Sequence, residues 1–592
     1  MPSAGMSAPS WQDRVKTAQE FIAAGRIEEA EALLEEIPAT SDPDALNARA
    51  TLALARRQTE FAFDMLAEAA TIYPEHASLI TNLGIAHQLL GRAEEAMICL
   101  ERAVALAPRN SAIKLALARA LLSRGNVTDA RAITETVVDN EPGNTRALLQ
   151  FGAIEFALGH TSSAETVLLR ALEIAPDDPD ALGHLSALML ERSRFDEALK
   201  LAERAHLRTP LDTDGLLHLA YCRAATGRWS QAEATCEKLL AYAPAHVGAR
   251  EILARVTIAK GEMDRGIAQL TEFVRAQKSD HSAAIALVRV LQLVGRFNEA
   301  LKLVDRVAQA LPENEAAKSL QKTLELTLGR FPSPDPTALE PVTPISVPST
   351  TGALEFVALV RLLRRLTSQQ DVHVVAEPRY QALLAHLAEP VIMDEPRPGL
   401  SATPLQSLLR ILSIDACTIA DDVPYLRPDA ELFAKWRDAL AVFARPLVGI
   451  LWESGALGLS MEQVAAVIPH SVTPISLMSG AQRHDMKRWR LPIDAGVHIE
   501  RPAELIAAIA NLDAVVGPDS FAVHIAGALG VPGVVFVPCG YPWYWAQAGG
   551  KPLWYPSFEV VAQERFGHWS EAIEQGGRKL EALLRGSTSE LG

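Results

Sequence analysis

A small residue returns every 34 positions through the first half of the chain: Ala96, Ala130, Ala164, Ala198, Ala232, Gly266 and Ala300. Proline keeps the same interval from Pro74 through Pro108, Pro142, Pro176 and Pro210 to Pro244, and Pro312 falls two periods later. Glycine punctuates the middle of the period at Gly91, Gly125, Gly159, Gly227, Gly261 and Gly295. A unit this short cannot bury its own apolar face, so successive units must stack on one another. The Ala- and Leu-rich spacing predicts two helices per unit. Glycine turns the chain between them, the small residue lets them approach, and proline ends the second. About nine units, less regular around Gly25, Ala30, Pro38 and Ala62, fill residues 1–330. Residues 314–328 read as a closing helix capped by Asn314.

A 34-residue period of two helices resembles the tetratricopeptide repeat, and it implies a solenoid whose first helices line a concave face. One register on that face reads Asn82, Ala116, Gln150, His184, His218, Ile252 and Ala286. Its polar members, Asn82, Gln150, His184 and His218, suit hydrogen bonds to a bound protein, or else form a solvated face. The register lacks the continuous asparagine ladder of the eukaryotic O-GlcNAc transferases, which puts a similar peptide-backbone clamp in doubt. Three Asp-x-Asp triplets begin at Asp42, Asp178 and Asp212. Such a triplet can hold a divalent metal. Here each comes after a repeat-ending segment, where aspartate caps the next helix, so no metal is expected.

At 592 residues the chain exceeds one hydrophobic core, and a net charge of −16 argues against a nucleic-acid partner or an anionic membrane surface. Residues 1–14 lack the basic and apolar regions of a signal peptide, and no apolar run is long enough to span a membrane. Cys99, Cys222, Cys236, Cys417 and Cys539 are scattered without CxxC spacing, as expected of reduced thiols. These features point to a cytoplasmic protein.

Six prolines between Pro332 and Pro348 make residues 331–348 a linker and predict that the repeats are separable from the C-terminal region. Beyond the linker the pattern becomes α/β. Strands are expected at residues 345–347, 371–375 and 391–393, with helices at 353–366 and 379–387, giving a small half over residues 349–445. A helix at 429–442 bridges to a second half, residues 446–592. There strands are expected at 447–451, 474–478 and 496–499, with helices at 460–467 and 502–509.

The most informative stretch is residues 511–540, NLDAVVGPDSFAVHIAGALGVPGVVFVPCG. Apolar runs at 512–516 and 531–537 suit buried parallel strands. Pro518, Asp519 and Ser520 supply the turn and cap for a helix from Phe521, and Gly530 and Pro532 stop it. Such a helix starts at the carboxyl edge of the sheet, where its N–H groups attract phosphate. His524, in the first turn, either reaches an anion held there or is a structural histidine.

The string from Asp519 through Ser520, Phe521, Ala522 and His524 to Gly530 resembles the D-[ST]-x-x-x-H-x-A-G-A-L-G signature of bacterial glycosyltransferases related to heptosyltransferases. Trp543 and Trp545, then Trp554 to Ser557 and Trp569, extend the likeness, which covers residues 343–585 patchily. It implies a tetratricopeptide solenoid followed by a GT-B fold of two Rossmann-like halves, the second holding a nucleotide sugar as co-substrate without a metal or other cofactor. Aligned with the family's G-L-G-D segment, Glu355 takes the place of a catalytic base and Arg361 that of an acceptor-side arginine, while His524 at the helix terminus is the second catalytic residue implied, clamping the departing phosphate. Alternatively Glu355 is a glutamate favoured by the helix dipole. The donor-side set implied is Asp519, Ser520, Phe521, Ala522, His524, Ser454, Gly455, Arg483, Lys487, Trp543 and Trp545. The sequence departs from the family after residue 447, where a basic segment is replaced by Trp452, Glu453, Ser454 and Gly455. Arg483, Lys487, Arg488 and Arg490 either substitute for it or belong to a solvated loop. The aromatic residues near Trp543 either stack on a ligand or pack a core.

The layout is similar to that of bacterial flagellin glycosyltransferases. It implies transfer to Ser or Thr of a protein acceptor, flagellin for instance. The cation shortage suits a CMP-linked nonulosonic acid. The alternatives are a scaffold with a degenerate transferase domain and an enzyme acting on a lipid or polysaccharide.

Overall fold

The computed structural model describes residues 10–23, 25–37, 42–277, 280–332, 344–347, 352–367, 371–394, 402–415, 418–453, 457–479, 483 and 493–589. The chain forms two compact units, Met1–Leu188 and Met189–Gly592.

In the first unit, helices of 13 and 14 residues alternate, as in Ala77–Leu89 and Ala93–Leu106 or Ser111–Ser123 and Val127–Asn140. Asp42, Asn110 and Asn144 accept backbone N–H bonds at the start of the first helices, and His76 does so through Nδ1. Gly91, Gly125 and Gly159 turn the chain with φ of 75°, 82° and 76°, a conformation in which a Cβ is strained. Arg57 adopts the same left-handed turn without being glycine. Ala96, Ala130 and Ala164 are buried where the paired helices meet. The Asp-x-Asp triplets are helix caps: Asp42, Asp178 and Asp212 accept from the N–H of Ala45, Ala181 and Gly215.

The second unit contains the remaining repeats, which end with helix Glu315–Thr327, and the α/β region. Ser193, with φ of 56°, holds the turn that glycine makes elsewhere in the period. Four short parallel strands come next: Ile345–Ser346 (β1), His373–Val375 (β2), Ile392–Asp394 (β3) and Thr403–Pro404 (β4), in the order β3-β2-β1-β4. A larger sheet contains Leu447–Ile450 (β5), Thr473–Ser476 (β6), Ile493–Asp494 (β7), Ala514–Pro518 (β8) and Gly533–Val537 (β9). Gln547–Ala548 (β10) and Lys551–Pro552 (β11) pair as a small antiparallel ladder, and Phe558–Ala562 (β12) completes the six-stranded parallel order β12-β9-β8-β5-β6-β7.

Two local expectations change. The strand expected at 496–499 is a 3₁₀ turn, Ala495–His498, preceded by β7. A Cβ on Gly496 would lie 1.7 Å from the Met478 carbonyl oxygen, so the chain crosses its neighbour too closely to run on extended. The helix expected at 353–366 is two, Ala353–Val360 and Leu362–Thr367.

Nor does the proline-rich segment separate two bodies. Leu326 of the last repeat helix joins the α/β core, while Cys539 and Phe566 pack into the core of the last repeats. A Cβ on Gly540 would lie 2.0 Å from the Gln292 carbonyl oxygen, and Tyr541 meets Phe297 edge-on at 5.2 Å. These backbones touch, and the last repeats and the α/β region form one unit. Most of the linker itself lies outside the described residues. Among the described residues no helix is long and apolar enough to cross a membrane.

Candidate functional site

β5 pairs with both β6 and β8, and the chain leaves β5 toward one side of the sheet and β8 toward the other. A parallel sheet opens a crevice at the carboxyl ends of its strands where the winding reverses, and there its ligands bind. In this protein the crevice is a cavity of about 500 Å³. Glu453, beyond β5, and Asp519, beyond β8, face into it, with Gly540 following β9 and Gln563 following β12. The repeats build the opposite wall. Tyr221 and Arg255 occupy the same position in successive repeats, as do Ala225, Ala259 and Leu293, and all line the cavity.

Asp519 is held from three sides. Its Oδ1 accepts from Trp545 Nε1 at 2.9 Å and from His524 Nε2 at 3.0 Å, and its Oδ2 accepts from the Tyr544 hydroxyl at 3.2 Å. The other nitrogen of His524 pairs with the Tyr555 hydroxyl at 2.7 Å. Burial, with Asp519 beside it, drives the Tyr544 phenol to a much higher pKa, and burial does the same to Tyr555. Both phenols therefore keep their protons as donors. The ring of Tyr544 meets His524 edge-on at 4.7 Å, so the carboxylate sits on an aromatic floor.

Glu453 is different. Its side chain is exposed and opens to water through the cavity. Desolvation by the cavity walls, and secondarily the charge of Asp519, pushes its carboxyl up to about 7, against the Leu459 bond that lowers it. A carboxylate held near neutrality can take a proton from a hydroxyl and return it.

The expected site residues divide accordingly. Asp519 faces the cavity, but His524 is fully buried. Both its nitrogens are engaged inside the fold, so it braces Asp519 and does not meet a phosphate in an open cleft. Trp543 and Trp545 are core residues, Trp543 lying edge-on to Trp554 at 4.5 Å, and they offer no stacking face to a sugar. Ser520 precedes helix Phe521–Leu529 without capping it through its side chain, and its Oγ is buried without a partner. Phe521 is partly buried and Ala522 buried. Arg483 forks onto Asp494 at 2.7 Å and 3.0 Å, an internal ion pair. Ser454, Gly455 and Lys487, with Arg488 and Arg490, lie outside the described residues.

On the acceptor side, Arg361 is wholly buried and cannot touch a protein ligand. It donates to the carbonyls of Ala358 and Trp554 and lies over the rings of Tyr425, Trp554 and Tyr555. Asn82 donates to Asn47 and Thr51 of the preceding repeat, and Gln150 to the Leu115 carbonyl, so both tie repeats together. His184 is exposed, while His218 is half-buried with Nε2 3.6 Å from Cys222 Sγ. Glu355 starts helix Ala353–Val360, partly buried. Burial raises its pKa, and Lys322 of the last repeat helix opposes the shift. It lies within electrostatic reach of Tyr544 but does not line the cavity.

Sequence reasoning passed over Glu453 as part of a small acidic segment. The available signal was an acid three residues past a fully apolar buried strand.

The tetratricopeptide repeat family matches residues 77–110, 99–147, 121–188 and 189–256. No curated protein matches the chain. Among solved structures the chain is similar to that of the APC/C hetero-tetramer Cut9-Hcn1, at 16% identity and a TM-score of 0.40, over 47% of this chain and 55% of that one. It is also similar to a tetratricopeptide repeat protein from Parabacteroides merdae, at 18% identity and a TM-score of 0.32, over 48% of this chain and 98% of that one. The human IFIT1 dimer with m7Gppp-AAAA matches at 16% identity and a TM-score of 0.39, over 52% of this chain and 76% of that one. The chain thus carries an N-terminal solenoid of tetratricopeptide repeats, a scaffold for protein–protein interaction, followed by a region of parallel sheets and helices.

Proposed function

We propose that the protein is a cytoplasmic glycosyltransferase of the GT-B type that modifies a protein held by its repeats, flagellin being the acceptor that the family resemblance suggests. The observation that carries this reading is the placement of Glu453 and Asp519 on adjacent strand ends, over a cavity large enough for a nucleotide sugar. Glu453 replaces Glu355 as the base. It takes the proton of a Ser or Thr hydroxyl while that oxygen bonds to the anomeric carbon. The bond from that carbon to the donor phosphate breaks, and its electron pair leaves with the nucleotide. Asp519, fixed by Trp545, Tyr544 and His524, orients sugar hydroxyls. No metal is required by this scheme.

One observation favours the scaffold reading, in which the α/β region is inactive: His524 and Arg361 are spent on internal contacts. Incubating the full chain with a panel of nucleotide sugars and unmodified flagellin, and measuring nucleotide release and acceptor mass, separates the two. The transferase reading expects release, slowed roughly 10²-fold or more by Glu453→Gln, the usual scale for losing a general base. Neither release nor binding with any donor would leave the scaffold.

A further inference from the structure

We infer that Arg255, contributed by a repeat helix, is the anion ligand of the cavity, so that the solenoid completes the donor site as well as presenting an acceptor. The inference rests on reading the cavity as a donor site. Among the described lining residues the α/β wall offers two acids, Glu453 and Asp519, and no cation; Arg255 is the basic one, and it stands on the repeat wall.

Its own pairing leaves it available. Glu251, one turn back on helix Val247–Ala259, approaches Arg255 at 3.9 Å, the limit of an ion pair, and approaches Arg289 more closely at 3.5 Å. One carboxylate thus faces two guanidiniums, and the Arg255 side chain remains 42% exposed. The 34-residue register explains why this arginine is the one that faces the cavity. Tyr221, Arg255 and Arg289 are successive members of one position, and the carboxyl edge of the sheet lies against the first two.

A cation on one wall and two carboxyls on the other select a ligand with one anionic group and several hydroxyls. A nucleoside monophosphate, with one phosphate beside its ribose hydroxyls, has that distribution. A diphosphate would bring further negative charge to a site where two acids already stand and one guanidinium balances them. The fork of a guanidinium also suits the two free oxygens of a phosphodiester.

The test is calorimetric titration of the full chain with CMP, cytidine and UDP, for the wild type, Arg255→Ala and Arg255→Lys. The wild type is expected to bind CMP at least tenfold tighter than cytidine and no more weakly than UDP. Arg255→Ala should erase the margin of CMP over cytidine with unchanged melting, and Arg255→Lys should restore part of it. A wild type that binds CMP and an Arg255→Ala variant that binds it equally well would overturn the role of Arg255 and leave the donor reading standing. UDP binding tighter than CMP would overturn the single-phosphate assignment. A wild type that binds none of the three would remove the donor reading, and this inference with it.

Discussion

The two parallel sheets of the α/β region are wound alike but made of different material. In the six-stranded sheet β5, β8 and β9 run four or five residues, every one buried. In the four-stranded sheet no strand exceeds three residues, and on β3 Ile392 and Met393 are exposed. The difference decides where chemistry can sit. A carboxylate is held accurately only when the strand delivering it cannot slide, and the buried strands of the larger sheet pin Glu453 and Asp519 from below. The smaller sheet presents Glu355 from a helix start and closes the aromatic floor through Arg361.

The comparison is broken most severely by removing the floor. Trp545→Ala should cost about 3–5 kcal/mol, the range for deleting a buried aromatic, whereas Met393→Ala on the smaller sheet should cost less than about 0.5 kcal/mol. Urea unfolding of the two variants measures both, and comparable losses would erase the distinction between the sheets. Gly540→Ala ranks next. Its Cβ would collide with the Gln292 carbonyl oxygen, and overpacking of this kind costs about 1–3 kcal/mol. An unchanged melting temperature for Gly540→Ala would contradict the direct packing of repeats on the larger sheet.

His524→Ala should lower stability by about 1–3 kcal/mol, because Asp519 loses one donor and the Tyr555 hydroxyl loses one of its partners. Normal melting with defective turnover would restore the direct phosphate contact that burial argues against. The smallest effect concerns pH. The Glu453 carboxyl is raised from 4.5 to about 7 in the folded chain, so the fold holds its proton more tightly than the unfolded chain does. Its contribution is therefore fully present below pH 4.5 and is lost as pH rises through 7. Glu453→Gln should remove that loss, gaining roughly 1 kcal/mol at pH 8 once solvent contact through the cavity is discounted, and nothing at pH 4. Melting curves at the two pH values check the sign.

The legibility of the chain follows the same contrast. The repeats declare themselves because one small residue and one turn recur at a fixed interval, and the turn persists at Ser193 and Arg57 where glycine is absent. β5, β8 and β9 are readable as unbroken apolar runs bounded by turn residues. β4 and β12 were not anticipated: the first is two residues long, and the second carries a charged residue, Glu559, near its start. β7 was displaced because Gly496 passes against the Met478 carbonyl, a contact no local pattern encodes. At the site, Asp519 was legible as the residue between a buried strand and a helix. Its donors Tyr544 and Trp545 lie more than twenty positions on and reach it only through the fold. Arg361 was misplaced because a match to a family arginine says nothing about burial. Arg255 carries no local signal beyond sharing a repeat position with Tyr221.

The central claim is that the site is shared between the repeat wall and the carboxyl edge of the larger sheet. Ala259 lines the cavity from the repeat side and is only partly buried at the edge of the last repeats' core, so a larger side chain there has the cavity to grow into. Calorimetric titration of full-length Ala259→Phe with CMP, beside its melting curve, tests the claim directly. Loss of binding at unchanged melting is the predicted result; CMP binding equal to that of the wild type would contradict it.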